Sequence, residues 1–252
     1  MTADTELLKK RFLELARKAD NSGFFTFTDF LGLAEQAAFN EVKRDLRGIS
    51  YTTFGGAEGA ERVMLRFGSE DELGYSLPFP ISVIKVEPIS QKYADKLTHR
   101  DFLGAILALG IEREVLGDIA IIDNVGYVFA KEDIADYIAD NLTQVKRTDV
   151  RSEISESIPE GRLYRTERKL IQVSGERLDA VIAKVFSLSR DDAQSLFKKR
   201  LVFVDGRQID STSYTPKENE KVSVRGHGRF IYIGEQSLSR KGKINLAIDL
   251  YV

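Results

Sequence analysis

Ten side chains in the last third of this 252-residue sequence have types and spacing suited to one chemistry, the binding of a polyanion. They are Arg177, Ser189, Arg190, Gln194, Lys198, Lys199, Arg200, Arg207, Arg225 and Arg229. Phosphate groups are held by several cations along one face, helped by backbone amides at a helix start. Arg190, Gln194 and Lys198 are spaced i, i+4 and i+8, which is one polar face of a helix. Arg190 stands where such a helix begins, and its planar guanidinium can bridge phosphate oxygens. Arg225, His227 and Arg229 punctuate Gly226 and Gly228, which let a backbone approach a ligand closely. The competing readings are an ordinary solvated helix face and a simple twisted turn. If about four of these cations neutralise phosphates, the log–log salt slope is roughly −3 to −4. Charge reversal at Arg190 is then expected to weaken binding more than reversal at a control such as Lys9. Asp179, two residues after Arg177, reads as a local polar or tertiary contact.

Other chemistries find less support. With no Cys, disulfides and thiolate metal sites are excluded. His99 and His227 are the only histidines, so a His-rich metal site is excluded, while a carboxylate-only Mg²⁺ site stays open. No catalytic residue, metal ligand or cofactor is expected. His99-Arg100-Asp101 has a kinase-like spelling, but no Gly-rich ATP loop or metal-binding block accompanies it, and a capped helix start is the more economical reading. Gly55-Gly56 and Gly59 lack the Gly-Lys-Ser/Thr of a nucleotide loop and suit hairpin geometry better. Arg62 and Arg66 are equally well read as RNA contacts or as surface residues. Tyr127 and Phe129 share a strand face where recognition motifs stack bases, yet core packing is favoured because the first strand offers no aromatic partner.

Net charge is −2, which by itself argues against a nucleic-acid binder, but the distribution of charge points the other way. Glu176 to Lys243 holds 14 Lys+Arg against 9 Asp+Glu, leaving −7 for the remainder. A basic module on an acidic body directs its positive end toward a polyanion. No apolar run approaches the roughly 18 residues needed to span a bilayer. The charged N-terminus has no h-region. A cytoplasmic protein without a membrane partner, and a monomer, is expected.

These side chains need elements to position them, and the pattern supplies an α+β, multidomain reading. The N-terminal α+β domain spans 1–77, with helices over Asp4–Lys18 and Leu33–Leu46, an extended Tyr51–Phe54 and an apolar Val63–Phe67. A domain over 78–154 follows: strand Ile81–Val86, helix Thr98–Leu109 stopped by Gly110, strands Asp118–Ile122 and Tyr127–Ala130 around Asp123-Asn124, helix Lys131–Leu142, and an extended Val145–Ile154. That β-α-β-β-α-β order is ferredoxin-like, shared with RNA-recognition motifs. Residues 155–170 read as a linker with Pro159–Gly161 turn chemistry. The basic module covers 171–252. Its first helix buries Leu178, Val181, Ile182 and Val185; its second is capped by Ser189 and buries Ala193, Leu196 and Phe197. Val202–Val204 leads into an Asp205-Gly206 hairpin turn. The alternation of Ile244, Leu246, Ile248 and Leu250 predicts a closing strand.

Arg177-Leu178-Asp179, Ser189-Arg190 with Ala193, and Val202-Phe203-Val204-Asp205-Gly206 together resemble the S4-like RNA-binding domain. Arg200 stands where that pattern usually has Gly, Asp205 where Asn is usual, and Glu218-Asn219-Glu220 where Pro-Gly-Asp is common. Upstream, Phe54–Arg62 (FGGAEGAER) and His99–Ile121 resemble blocks of the YlmH family, whose chains also end in a VRG-x-GRF-like run, here Val224–Phe230. The resemblance implies a non-enzymatic factor that binds the large ribosomal subunit, with ribosomal RNA and tRNA as partners, in ribosome-associated quality control. It also carries an older link to cell division, the basis of a scaffold alternative. An RNA-modifying enzyme is the other alternative, but the upstream domains offer no acid/base or nucleophile set.

Overall fold

In the computed structural model the chain is described over residues 3–46, 48–156, 158, 163–239 and 242–251. Two units emerge, Met1–Tyr164 and Arg165–Val252. The segments 1–77 and 78–154 fall together in the first.

The first unit opens with α1 (Ala3–Ser22), longer than the periodicity predicts. Phe12, Leu15, Ala16 and Ala19 form its buried stripe. Gly23 closes the helix, its left-handed φ of 67° turning its N–H onto the Ala19 carbonyl at 3.1 Å. After β1 (Thr26–Phe27) come α2 (Leu33–Val42), a 3₁₀ turn at Lys43–Leu46, β2 (Tyr51–Phe54), β3 (Met64–Phe67) and the short α3 (Glu70–Leu73). The strands form an antiparallel sheet in the order β1-β3-β2. Leu65 and Phe67 on one face of β3 pack with Phe12, Phe39 and Leu46 from the helices.

The chain continues through β4 (Ile81–Pro88), α4 (His99–Leu107), β5 (Leu116–Ile122), β6 (Val125–Lys131), α5 (Glu132–Asn141), β7 (Gln144–Val145) and β8 (Thr148–Ser155). Asp123 and Asn124 both adopt positive φ, 50° and 66°, as a two-residue hairpin turn requires. The sheet order is β5-β6-β4-β8-β7. Its first four members are the ferredoxin-like arrangement, all neighbours antiparallel. Helices α4 and α5 cover one face through Phe102, Ile106, Ala135 and Ile138, over Ile84, Val86 and Val128.

The second unit consists of β9 (Thr166–Val173), α6 (Leu178–Val185), α7 (Arg190–Lys198), β10 (Val202–Val204), β11 (Arg207–Gln208), β12 (Lys221–Val224), β13 (Gly228–Leu238) and β14 (Ile244–Tyr251). Its sheet runs β11-β10-β12-β13-β14-β9, every pair antiparallel. The C-terminal strand foreseen from alternation is present, and it lies inside the sheet rather than at its edge. The edge is β9, which starts within the segment read as a linker. Its residues Thr166–Leu170 are exposed, so no alternation marks them, and pairing with β14 from Thr166↔Tyr251 to Val173↔Ile244 is what makes the strand. The turn read at Pro159–Gly161 lies outside the described residues. Leu178, Val181, Ile182, Leu196 and Phe197 close over Val222, Phe230, Tyr232, Leu246 and Ile248. Each such buried side chain contributes about 1.5–3 kcal/mol. That core holds the helix pair in place.

Candidate nucleic-acid interface

Helix α6 starts at Arg177, its N-cap residue. The Leu178 N–H bonds the Tyr214 carbonyl at 2.8 Å, and the Tyr232 hydroxyl donates to Glu176 Oε1 at 2.9 Å, so the entry to the helix is pinned from two sides. Two residues on, Asp179 has no exposed surface. A buried carboxylate needs donors, and this one has several. Arg177 Nε and Nη2 donate to its two oxygens at 3.1 Å each. Gln194 Nε2 donates at 2.9 Å, the Ala180 N–H at 2.9 Å, and Arg190 Nε lies 3.5 Å away.

Three of the residues singled out by sequence thus converge on a fourth, Asp179, that was read as a local polar or tertiary contact, and both kinds of contact are present. Two guanidiniums face one carboxylate, leaving one positive charge uncompensated. Both remain half-exposed, Arg177 at 45% and Arg190 at 55% of the side chain. Burial alone pushes the Asp179 carboxyl up. Hydrogen bonds from Arg177 and Gln194, with the charges of Arg177 and Arg190, outweigh that and hold it below the usual carboxylate range. The signal was available: an Arg-x-Asp at a helix start, with Gln and Arg following one helix later.

Ser189 caps α7 as expected. Its Oγ accepts from the Asp192 N–H at 3.0 Å and donates to Asp192 Oδ2 at 2.6 Å. At the far end Lys198, Lys199 and Arg200 are exposed. Arg200 adopts φ 57° and closes the helix: its N–H bonds the Phe197 carbonyl, and the Leu201 N–H bonds the Leu196 carbonyl. This is the left-handed termination in which glycine is usual. Arg225, exposed in the β12–β13 hairpin, donates its N–H to the Leu201 carbonyl at 2.9 Å, which brings that hairpin beside Lys199-Arg200. The His227 ring lies 5.9 Å from that of Phe186 at the end of α6.

Two candidates fall outside these groups. Arg207 is exposed on the β10–β11 hairpin after Asp205-Gly206, whose φ values of 47° and 69° match the turn read from sequence. Arg229 is half-buried, with its guanidinium 4.2 Å from the Tyr251 ring centre. Its neighbours Phe230 and Tyr232 belong to the core under the helices. Strand alternation therefore aims Phe230 at the helices and Arg229 at the opposite face.

A family model described as the putative RNA-binding domain in YlmH matches residues 77–157. A Bacillus subtilis (strain 168) protein named ribosome-associated protein quality control protein P2 is 31% identical over 246 residues, covering 94% of this chain and 91% of the relative. The chain belongs to the YlmH family. Among solved structures, a cell division protein ylmH from Streptococcus pneumoniae aligns at a TM-score of 0.49 and 18% identity, over 62% of this chain and 93% of that one.

In this YlmH-family chain, the sheet face that stacks bases in recognition motifs is occupied by the protein itself. Phe129 is fully buried and Tyr127 is 9% exposed. Phe129 packs with Phe30 and Met64 from the N-terminal segment, flanked by Ile81 and Val83. Gly56 makes this possible: its φ is 93°, and a Cβ there would sit 2.3 Å from the Phe129 ring. The glycine run is thus a close approach of backbone to ring rather than a phosphate cradle. Arg62 is an internal joint. Its Nε bonds the Leu116 carbonyl at 2.8 Å, and Nη2 bonds the carbonyls of Phe30 at 2.8 Å and Arg113 at 3.2 Å. Asp118 accepts the N–H groups of Glu61 and Arg62 beside it. Burial, and then the Arg62 charge, bring the neighbouring Arg113 down to about 10. Arg66 stacks over Phe25 and Phe79 and donates to the Leu77 carbonyl. His99-Arg100-Asp101 is a capped helix start, with Asp101 accepting from the Thr98 N–H and hydroxyl. Among the described residues no helix is long and apolar enough to cross a membrane, and no group of three or more His, Asp or Glu could hold a metal ion.

Proposed function

We propose that this protein is a non-enzymatic RNA-binding factor that docks on the large ribosomal subunit, contacting ribosomal RNA and peptidyl-tRNA, in ribosome-associated quality control. The name of the Bacillus subtilis relative and the family model of a putative RNA-binding domain support the RNA and ribosome parts of this reading. The observation that carries the choice of surface is the convergence of Arg177, Arg190 and Gln194 on the buried Asp179. Flexible cations lose side-chain entropy when they grip a phosphate; these two are already held, with their outer edges in solvent. Lys198 continues the same helix face, and Lys199, Arg200 and Arg225 extend the cationic surface. In this reading the second unit is an S4-like domain, and it carries 17 Lys+Arg against 11 Asp+Glu. The protein acts in the cytoplasm as a monomer, without a cofactor.

Sedimentation with ribosomal subunits through sucrose gradients tests the proposal. The wild-type chain is expected to travel with the large subunit at low salt, and Arg190→Glu/Lys198→Glu to stay at the top. Travel of both proteins with the subunit, or of neither, overturns the assigned surface. Turnover of RNA by the purified protein would replace the binding-factor reading with an enzymatic one.

A further inference from the structure

The first unit carries a bare strand edge. Among the described residues strand β2 pairs only with β3, through Tyr51↔Phe67 to Phe54↔Met64 without a register shift. The Gly68 N–H donates to the Ser50 carbonyl at 2.9 Å, which sets the phase of the ladder. Thr52 and Phe54 therefore bond toward β3, while the N–H and C=O of Tyr51 and Thr53 point away from it. All four residues are exposed, the aromatic Tyr51 at 39% and Phe54 at 41%. Tyr-Thr-Thr-Phe consists of strong strand formers. Proteins blunt free edges with lysine, proline or a bulge because a bare edge recruits another strand. This edge has none of these.

Its surroundings are acidic. Ser50, at the head of β2, donates its hydroxyl to Glu72 at 2.7 Å. A cavity of about 730 Å³ opens beside this end of the strand, and its described lining residues include Asp20, Asp45 and Glu72 alongside Leu13, Ile49 and Arg17. Glu70 and Asp71 share the short α3 with Glu72. The unit as a whole holds 20 Lys+Arg against 28 Asp+Glu.

We propose that the β2 edge docks an extended basic peptide segment of a partner protein. The segment adds a fourth strand beside β2 and seats a lysine or arginine side chain in the adjoining acidic cavity. Main-chain bonds at Tyr51 and Thr53 supply affinity, and the cavity selects the cation. The same carboxylates repel a nucleic-acid backbone, so this site is separate in chemistry from the arginine-rich helix pair.

The test uses the full chain and a short fluorescent peptide alternating lysine and valine, read by anisotropy. Thr53→Pro removes the outward N–H, at an edge position where proline leaves the pairing with β3 intact. Asp20→Asn/Asp45→Asn removes the cavity charge without changing its shape. Thr53→Pro is expected to weaken peptide binding about tenfold or more. The double Asn variant should weaken it and flatten its salt dependence, and a glutamate–valine peptide should not bind. RNA binding by the second unit stays at the wild-type level in each variant, and a wild-type thermal unfolding transition of the first unit reports that the mutated unit is folded. Equal peptide affinity in all three proteins, or no binding at all, overturns the proposal. Dimerisation abolished by Thr53→Pro would assign the edge to a second copy instead, and loss of RNA binding in that variant would assign it to RNA. Either result overturns the peptide assignment.

Discussion

Arg177 clasps Asp179, two residues along the chain, through two hydrogen bonds of 3.1 Å each, and the carboxylate it clasps is fully buried. The geometry is that of a bidentate guanidinium–carboxylate pair, which fixes the orientation of both partners. A buried pair stabilises only when its remaining lone pairs are satisfied, and here Gln194 and the Ala180 N–H complete the set. The carboxylate thereby acts as an internal template: it sets where Arg177 and Arg190 present their exposed edges.

The template makes the helix pair acid-sensitive. The Asp179 carboxyl is depressed in the folded state. A depressed carboxyl contributes stability above its unfolded value and loses it as pH falls through the folded value. Hydrogen-exchange protection of α6 and α7 is therefore expected to fall on acidification below about pH 4. Asp179→Asn should flatten that response and lower stability at pH 7 by about 2 kcal/mol. Identical acid profiles for the two proteins would show that Asp179 does not supply the sensitivity.

RNA affinity should respond to single cations in a graded way. Each phosphate contact adds close to one unit to the log–log salt slope, so Arg190→Ala is expected to reduce a wild-type slope of roughly −3 to −4 by about one. Arg229→Ala, which loses a guanidinium packed on Tyr251 on the opposite sheet face, should leave the slope unchanged. Titrations of labelled RNA across a salt series measure both. The control needs care: Lys9 is buried and ion-paired with Glu6 at 3.0 Å and Glu41 at 2.7 Å, so its reversal would damage the first unit. The exposed Lys10 is the appropriate choice.

Arg200 sets stability against charge. A non-glycine residue at φ 57° is strained, and glycine relieves that strain. Arg200→Gly is expected to raise stability by about 1 kcal/mol while weakening RNA binding, because it deletes a cation beside Lys199 and Arg225. Chemical denaturation and RNA titration on the same variant separate the two effects. A stabilised variant with undiminished RNA affinity would exclude Arg200 from the interface.

The elements that carry a periodic signature were legible in the sequence: both helices of the second unit, the Asp205-Gly206 turn, and the β-α-β-β-α-β order of the central domain. What escaped was set by partners distant in sequence. Strand β9 is charged and exposed on most of its length, and only its pairing with β14 makes it a strand. Arg62 looks like a surface cation until Phe30, Arg113 and Leu116 bring their carbonyls to it. Arg229 sits in a Gly-rich run that suggested ligand contact, but the phase of β13 turns it from the helices. In each case the residue type was visible and its facing direction was not.

The buried face of the central sheet yields the last prediction. Were bases to stack on Tyr127 and Phe129, Phe30 and Met64 would have to leave, exposing a cluster that now has almost no contact with water. Separating such side chains costs about 1.5–3 kcal/mol each, against about 1–3 kcal/mol gained per stacked base. Stacking on two rings therefore at most balances the opening and gives no net drive for it. Gly56→Ala, which drives a methyl group into the Phe129 ring from a left-handed backbone, is expected to destabilise the first unit by about 2–3 kcal/mol. Its RNA affinity should match that of the wild type at temperatures where both are folded. If the sheet face were the RNA site, a variant that loosens its cover would bind RNA more tightly, and thermal unfolding paired with RNA titration distinguishes the two outcomes.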